Sequence, residues 1–171
     1  MATESKTRTP EETVRSYFDA VIARDPDAMA EHWAEEGIEE ILPVGIFRGP
    51  EEVKAYFTEL FTAIPDFQME LERVLEKDND VLVQWRASGT FSGGPLMGID
   101  PTGRRIELRG LDWLEVEGDK VVRNTAFADG AALARGMGLL PPQGSAAEKT
   151  MFSAFNAFTK ARGAVSEVLS R

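Results

Sequence analysis

The residue whose type and position most suggest chemistry is Asp112. It sits in a stretch, Arg104 to Val116, where Ile106, Leu108, Gly110, Leu114 and Val116 alternate with mostly polar positions. A strand would turn Asp112 to the same side as these residues, toward an apolar interior. A carboxylate there is costly if ionised and unpaired. Two readings stay open: a structural carboxylate accepting from Arg86, Tyr17 or backbone, or an acid with a raised pKa that exchanges protons with a substrate. The single histidine, His32, lies between Glu31 and Trp33, and nothing in the sequence places a serine beside it for a nucleophilic triad. Cysteine is absent, which removes thiolate catalysis, disulfides and Cys-ligated zinc together. The remaining acidic pairs, Glu35-Glu36 and Glu39-Glu40, read as solvated faces, so no metal is expected. Gly93-Gly94-Pro95 lacks the Lys-Ser/Thr of a phosphate loop, so no nucleotide cofactor is expected either.

The elements that must position these residues follow from periodicity. Thr9-Pro10-Glu11-Glu12 predicts a capped helix start, and Val14, Tyr17, Phe18, Val21 and Ile22 then form one apolar stripe. Asp25-Pro26 opens a shorter helix with Met29, His32 and Trp33 on one side, stopped by Gly37, with a short strand over Ile38 to Leu42. Gly49-Pro50 starts a third helix carrying Val53, Tyr56, Phe57, Leu60, Phe61 and Ile64. Beyond Pro65 the period falls to two: Phe67, Met69 and Leu71, then Val81, Val83 and Trp85, then Arg104 to Val116 and Val121 to Ala128. Three helices followed by hairpin-linked strands predict an α+β fold with a largely antiparallel sheet covered on one face. Trp85, Phe91, Trp113 and Phe127 supply aromatic surface, and Trp113, opposite in phase to Asp112, is expected outside or at a subunit interface. After Pro141-Pro142-Gln143-Gly144, the stripe Met151, Phe155, Phe158, Arg162, Val165 and Leu169 predicts an amphipathic helix that needs a surface to cover.

Composition bounds the rest. The chain has 171 residues, enough for a single core. Its formal charge of -10 and the absence of a basic run interleaved with aromatics exclude nucleic acid as partner; Arg104, Arg105 and Arg109 enclose Glu107 and read as a solvated strand face. No run approaches the ~20 apolar residues that span a bilayer, so no membrane partner is expected. The polar Met1 to Thr9 has no signal-peptide core, so a cytoplasmic location is expected.

Several motifs resemble one family. Gly89-Thr90-Phe91-Ser92-Gly93 with Leu96 to Arg105, Gly110-Leu111-Asp112-Trp113 with Glu117 to Val122, and Asp129 with Gly138-Leu139-Leu140-Pro141 resemble, in order, the motifs of SnoaL-like cyclases of the NTF2-like superfamily. The resemblance implies a cone-shaped α+β cup over residues 1–142 that holds an apolar, carbonyl-containing small molecule. Residues 143–171 are expected as a helical extension packed on that domain or on a homodimer partner. It further implies cofactor-independent general acid/base chemistry, a polyketide-type cyclisation or an isomerisation, with Asp129, Asp112 and Tyr17 as the catalytic set. In the related ketosteroid isomerases a protonated aspartic acid and a tyrosine donate to the substrate carbonyl, and Asp112 and Tyr17 fall at those places. The isomerase base is replaced here: Leu42 precedes Pro43-Val44-Gly45, and Glu40 is the nearest acid. Asp129 occupies the place of the cyclase general acid/base, but Asp129-Gly130-Ala131-Ala132 also suits a helix N-cap. The side chains expected to contact substrate are His32, Glu40, Arg86, Trp85, Phe57 and Phe127. The alternatives are a non-catalytic binding module of the same shape and a limonene-epoxide-hydrolase-like enzyme, for which the close Arg-x-Asp pairing is absent.

Overall fold

The computed structural model describes residues 8–169, with side chains described as far as residue 162; Val165 and Leu169 of the tail stripe therefore lie outside the described side chains. Helix α1 (Pro10–Ala23) starts where Thr9 and Glu12 cap each other, the Thr9 hydroxyl accepting from Glu12 N at 3.1 Å and the Glu12 carboxylate from Thr9 N at 2.9 Å. This satisfies two of the amides that a helix start leaves open. Its apolar stripe buries Val14, Tyr17, Phe18 and Val21. Helix α2 (Pro26–Ala30) is a single short turn capped by Asp25, whose carboxylate accepts from Ala28 N at 3.0 Å.

Strand β1 (Trp33–Leu42) begins earlier than the periodicity implied. Trp33 belongs to the strand and not to a helix with Met29, and Gly37 is no helix stop. A Cβ at Gly37 would meet Trp33 Cε3 at 2.8 Å and Ala34 O at 3.0 Å, so glycine is what lets the indole fold across its own strand. Pairing with β6 overrides the local helical pattern.

The chain continues through β2 (Gly45–Arg48), α3 (Gly49–Ala63), β3 (Gln68–Lys77), β4 (Asp80–Phe91), β5 (Arg104–Glu117) and β6 (Lys120–Ala128). The strands form one curved, unclosed mixed sheet in the order β2-β1-β6-β5-β4-β3; only β1 and β6 run parallel. Val81, Val83, Trp85, Leu114, Val116 and Val121 line its inner face and pack against Val14, Tyr17, Phe18 and Val21 of α1 and Val53 and Phe57 of α3. A smaller cluster of Ala63, Ile64, Phe91, Leu96, Ile106 and Met137 closes one end, with Met137 supplied by α4 (Gly130–Met137).

The register places Asp112 opposite Val83 and Ala126, on the buried face, as its phase required, and Trp113 on the outer face. Helix α5 (Ala146–Leu169) does not cover this core. Glu148 is buried, but Met151, Phe152, Phe155 and Phe158 are exposed, because α1, α3 and α4 already occupy the inner face. Among the described residues no helix is long and apolar enough to cross a membrane.

Candidate active site

A cavity of about 110 Å³ opens between the helices and the inner face of the sheet. Its walls are almost entirely apolar: Phe18 and Val21 of α1, Phe57 and Leu60 of α3, Ala87, Leu108 and Ala126 of the sheet, and Leu133 of α4. Polar groups enter it only from a few places, chiefly Tyr17, Tyr56, Glu39, Asp112, Ser88 and the indole edge of Trp85. A wider groove of about 810 Å³ adjoins it, lined by Arg86, Arg105 and Arg109 together with Glu70, Glu107 and Asp129. There Arg86 pairs with Glu70 at 2.6 Å and Arg105 with Glu107 at 3.1 Å, so the groove is a solvated face of mutually satisfied charges. Few, convergent polar groups in an apolar enclosure mark the smaller cavity as the candidate site.

Four strands build its polar wall. Asp112 on β5 accepts from Trp85 Nε1 at 2.7 Å through Oδ1 and from Asn124 Nδ2 at 2.9 Å through Oδ2. The same Asn124 nitrogen donates to Glu39 Oε1 at 3.0 Å and Oε2 at 3.3 Å. The register explains the assembly. Glu39 lies directly beside Asn124 across the parallel β1–β6 pair, Asn124 is diagonal to Asp112 across β6–β5, and Trp85 is diagonal to Asp112 across β5–β4. Trp85 reaches Asp112 because its neighbour across the strand pair is Gly110: a Cβ there would stand 2.3 Å from Trp85 Cζ2. Asn124 Oδ1 is buried without a partner. Turned over, the amide would accept from two protonated carboxyls, so the bridge suits the pair in either protonation state.

Burial sets the electrostatics. Loss of water pushes the Asp112 carboxyl up to about 6, against the opposing pull of the Trp85 and Asn124 N–H groups. Glu39 is raised well above the ordinary carboxylate range by burial first and by the charge of Asp112 second, with Asn124 opposing. Burial also raises the Tyr17 hydroxyl, helped by the charges of Glu39 and Asp112; the Trp33 indole N–H acts in the opposite sense, though without a hydrogen bond of ordinary geometry. Tyr56 is raised by burial and by Glu39. The acid pair thus retains a proton at a pH where an exposed carboxyl is bare, beside two neutral phenols. Such a wall can take a proton from a carbon acid and donate one to an oxygen.

The expected residues separate into two groups. Asp112, Tyr17, Trp85 and Phe57 line the cavity together. Glu40 does not, because it alternates with Glu39 along β1; Glu39 is the acid that turns inward, and its reading as part of a solvated pair is corrected by its 1% exposure. Arg86 lies on the outer face, bound to Glu70 through Nε at 3.1 Å and Nη2 at 2.6 Å, and so cannot hold Asp112. Phe127 also faces outward, half exposed. Asp129 is exposed and caps α4, accepting from Ala132 N at 2.9 Å. His32 stands behind Tyr17, its ring nitrogens within 2.8 Å of Ala28 O and 2.9 Å of Ser16 Oγ. The sequence reading missed Glu39 and Asn124. Asn124 carried a usable signal, two residues from Ala126 and four from Ala128 on the inner face. Among the described residues no three His, Asp or Glu side chains gather closely enough to hold a metal ion.

The model of the family described as SnoaL-like polyketide cyclase matches residues 11–137 of this chain. Solved structures show the same fold. A candidate SnoaL-like polyketide cyclase from Jannaschia sp. CCS1 is 21% identical, with a TM-score of 0.70 over 82% of this chain and 99% of its own. An NTF2-like protein from Burkholderia thailandensis is 24% identical, with a TM-score of 0.66 over 76% and 98%. AclR from Streptomyces galilaeus, named as a candidate hydroxylase, is 20% identical, with a TM-score of 0.66 over 77% and 97%. Among proteins of curated function, none matches the sequence.

Proposed function

Because the chain belongs to the SnoaL-like polyketide cyclase family, we propose that its cavity binds an apolar carbonyl compound and performs cofactor-independent acid/base cyclisation or isomerisation on it. The observation that carries this reading is the pair of buried carboxyls, Glu39 and Asp112, joined by Asn124 at the wall of an apolar cavity. In the proposed step the Asp112 carboxylate takes a proton from the carbon next to the substrate carbonyl. The C–H electron pair moves into an enolate, whose oxygen receives hydrogen bonds from the Tyr17 hydroxyl and protonated Glu39. Returning the proton to a different carbon isomerises the substrate; attack of the enolate carbon on a second carbonyl, with a proton delivered to that oxygen, closes a ring. Asp129 is assigned the helix cap and no chemistry, and the hydrolase alternative lacks support because Arg86 and Arg109 point away from the acids toward Glu70 and Glu72.

The test is turnover of conjugation-shifting enones and of diketones able to close by aldol addition. Asp112→Asn and Glu39→Gln are each expected to lower kcat/KM by about 10² or more, and the double variant by far less than the product of the two, as expected for groups acting as a unit. Unchanged turnover in both single variants would sink the assignment. One observation favours a binding-only module instead: both oxygens of Asp112 already accept protein hydrogen bonds. On that reading ligands bind the wild type and quench Trp85, yet no substrate of either class turns over.

A further inference from the structure

The cavity of the candidate site measures about 110 Å³. An apolar cavity of about 150 Å³ takes one benzene ring. A single ring therefore fills the space, and the rest of any larger molecule must stand in its mouth. Exposure identifies that mouth. Among the described side chains that line the cavity only Leu42 and Met97 are exposed, at 39% and 45%. Leu42 is fixed by the register of β1 with Phe127 of β6, whereas Met97 comes from the loop between β4 and β5.

That loop turns tightly at Met97. Leu96 N donates to Ile99 O at 3.0 Å and Ile99 N to Leu96 O at 3.0 Å, which leaves Met97 and Gly98 as the central pair. Both have positive φ, 55° and 74°. Such a turn favours Asn-Gly, because asparagine and glycine take the left-handed backbone at little cost and a long side chain does not. The conformation is nevertheless held in place. Met97 N donates to Glu59 Oε1 of α3 at 2.9 Å, and the buried Leu96 anchors the turn beside Ile64, Phe91 and Ile106. A strained residue that its surroundings hold fast points to a use for its side chain. Here the side chain is an unbranched thioether with three rotatable bonds, set against the cavity.

We infer that Met97 is the size filter of the site, admitting a substrate whose reacting part is one small ring and opposing a second, fused ring. The inference rests on the reading of this cavity as the substrate site. It narrows the carbonyl compound to a monocyclic enone, or to an open chain that closes into a single ring. The fixed turn keeps the thioether at the mouth, and rotation of the side chain lets one ring pass. Gly98 beside it adds no obstacle, since even a Cβ there would meet nothing within 4 Å.

The test compares phenol with β-naphthol, flat enol mimics of one and two rings, titrated into the full chain and followed by the Trp85 indole N–H resonance. Without a filter β-naphthol would be the tighter ligand, because it buries more apolar surface. In wild type phenol is expected to bind the tighter of the two. Met97→Gly and Met97→Asn both remove the thioether, and Met97→Asn supplies the pair that this turn favours, so the unfolding midpoint is expected to hold or rise. In both variants β-naphthol is expected to gain about tenfold or more in affinity while phenol stays within about twofold. A wild type that already prefers β-naphthol overturns the inference, as does an equal change for both ligands in both variants, which would mean a packing role only. Phenol binding with β-naphthol indifferent to residue 97 is the failure of this inference alone. No response to either ligand in any of the three proteins is the failure of the cavity reading beneath it, and overturns both.

Discussion

At the scale of single residues, Asp112 was legible and Glu39 was not, for a physical reason. Around Asp112 one strand phase carries four apolar residues, Ile106, Leu108, Leu114 and Val116, against Leu111 and Trp113 among charged residues on the other, so the longer apolar run sets its side. Around Glu39 both phases carry apolar residues, Ile41 on one and Ile38 and Leu42 on the other, so the alternation cannot say which of Glu39 and Glu40 turns inward. The cost of burying these acids is measurable. The folded-state pKa of Asp112 is raised to about 6, so between the unfolded value of about 4 and that point the native chain holds a proton that the unfolded chain has released. Stability therefore falls as pH rises through the window and stays low above it. Asp112 alone is expected to remove about 1 kcal/mol between pH 5 and pH 7.5, and Glu39, raised by burial and by the charge of Asp112, adds to the same trend. Urea unfolding of wild type and Asp112→Asn at the two pH values checks this. The variant is expected to show a flatter dependence; an equal slope in both would mean that Asp112 is solvated.

At the scale of elements, the caps and the helical stripes of α1 and α3 were readable because their signals are local: a capping box, a proline at the first turn, apolar residues three and four apart. The start of β1 was not, because its strand state comes from pairing with β6, which no local pattern encodes. Gly110 shows how an element serves the site. Its missing side chain is the space that Trp85 occupies on its way to Asp112. Gly110→Ala places a methyl group inside the indole ring and against Phe127 O at 2.7 Å, so the ring must move. The expected cost is about 1–3 kcal/mol, with a red-shifted indole emission as Trp85 gives up its buried hydrogen bond. Unfolding midpoint and fluorescence read the two effects; an unshifted spectrum with full stability would contradict the packing described.

At the scale of the whole molecule, the site exists because the sheet order is not the chain order. Glu39 and Asn124 are 85 residues apart in sequence, and only the parallel placement of β1 beside β6 brings them into contact. Family motifs carried the fold, since they fall in the right order along the chain. For the candidate site they carried only a part: Asp112 and Tyr17, placed by the resemblance, line the cavity, whereas Asp129 is an exposed helix cap. The tail helix was legible as amphipathic, but not the exposure of Met151, Phe152, Phe155 and Phe158 among the described residues, because that depends on the inner face being full.

The central claim is that two carboxyls share a dry wall of one cavity and keep a proton there near neutral pH. Carboxyl-carbon NMR titration tests it most directly, with Asp112→Asn and Glu39→Gln assigning the two signals. The expected result is an Asp112 midpoint near 6 and a Glu39 midpoint above the usual carboxylate range, with the Glu39 midpoint falling in Asp112→Asn as its charged neighbour disappears. Midpoints for both near the ordinary value of about 4, independent of each other, would place the acids in water and contradict the site.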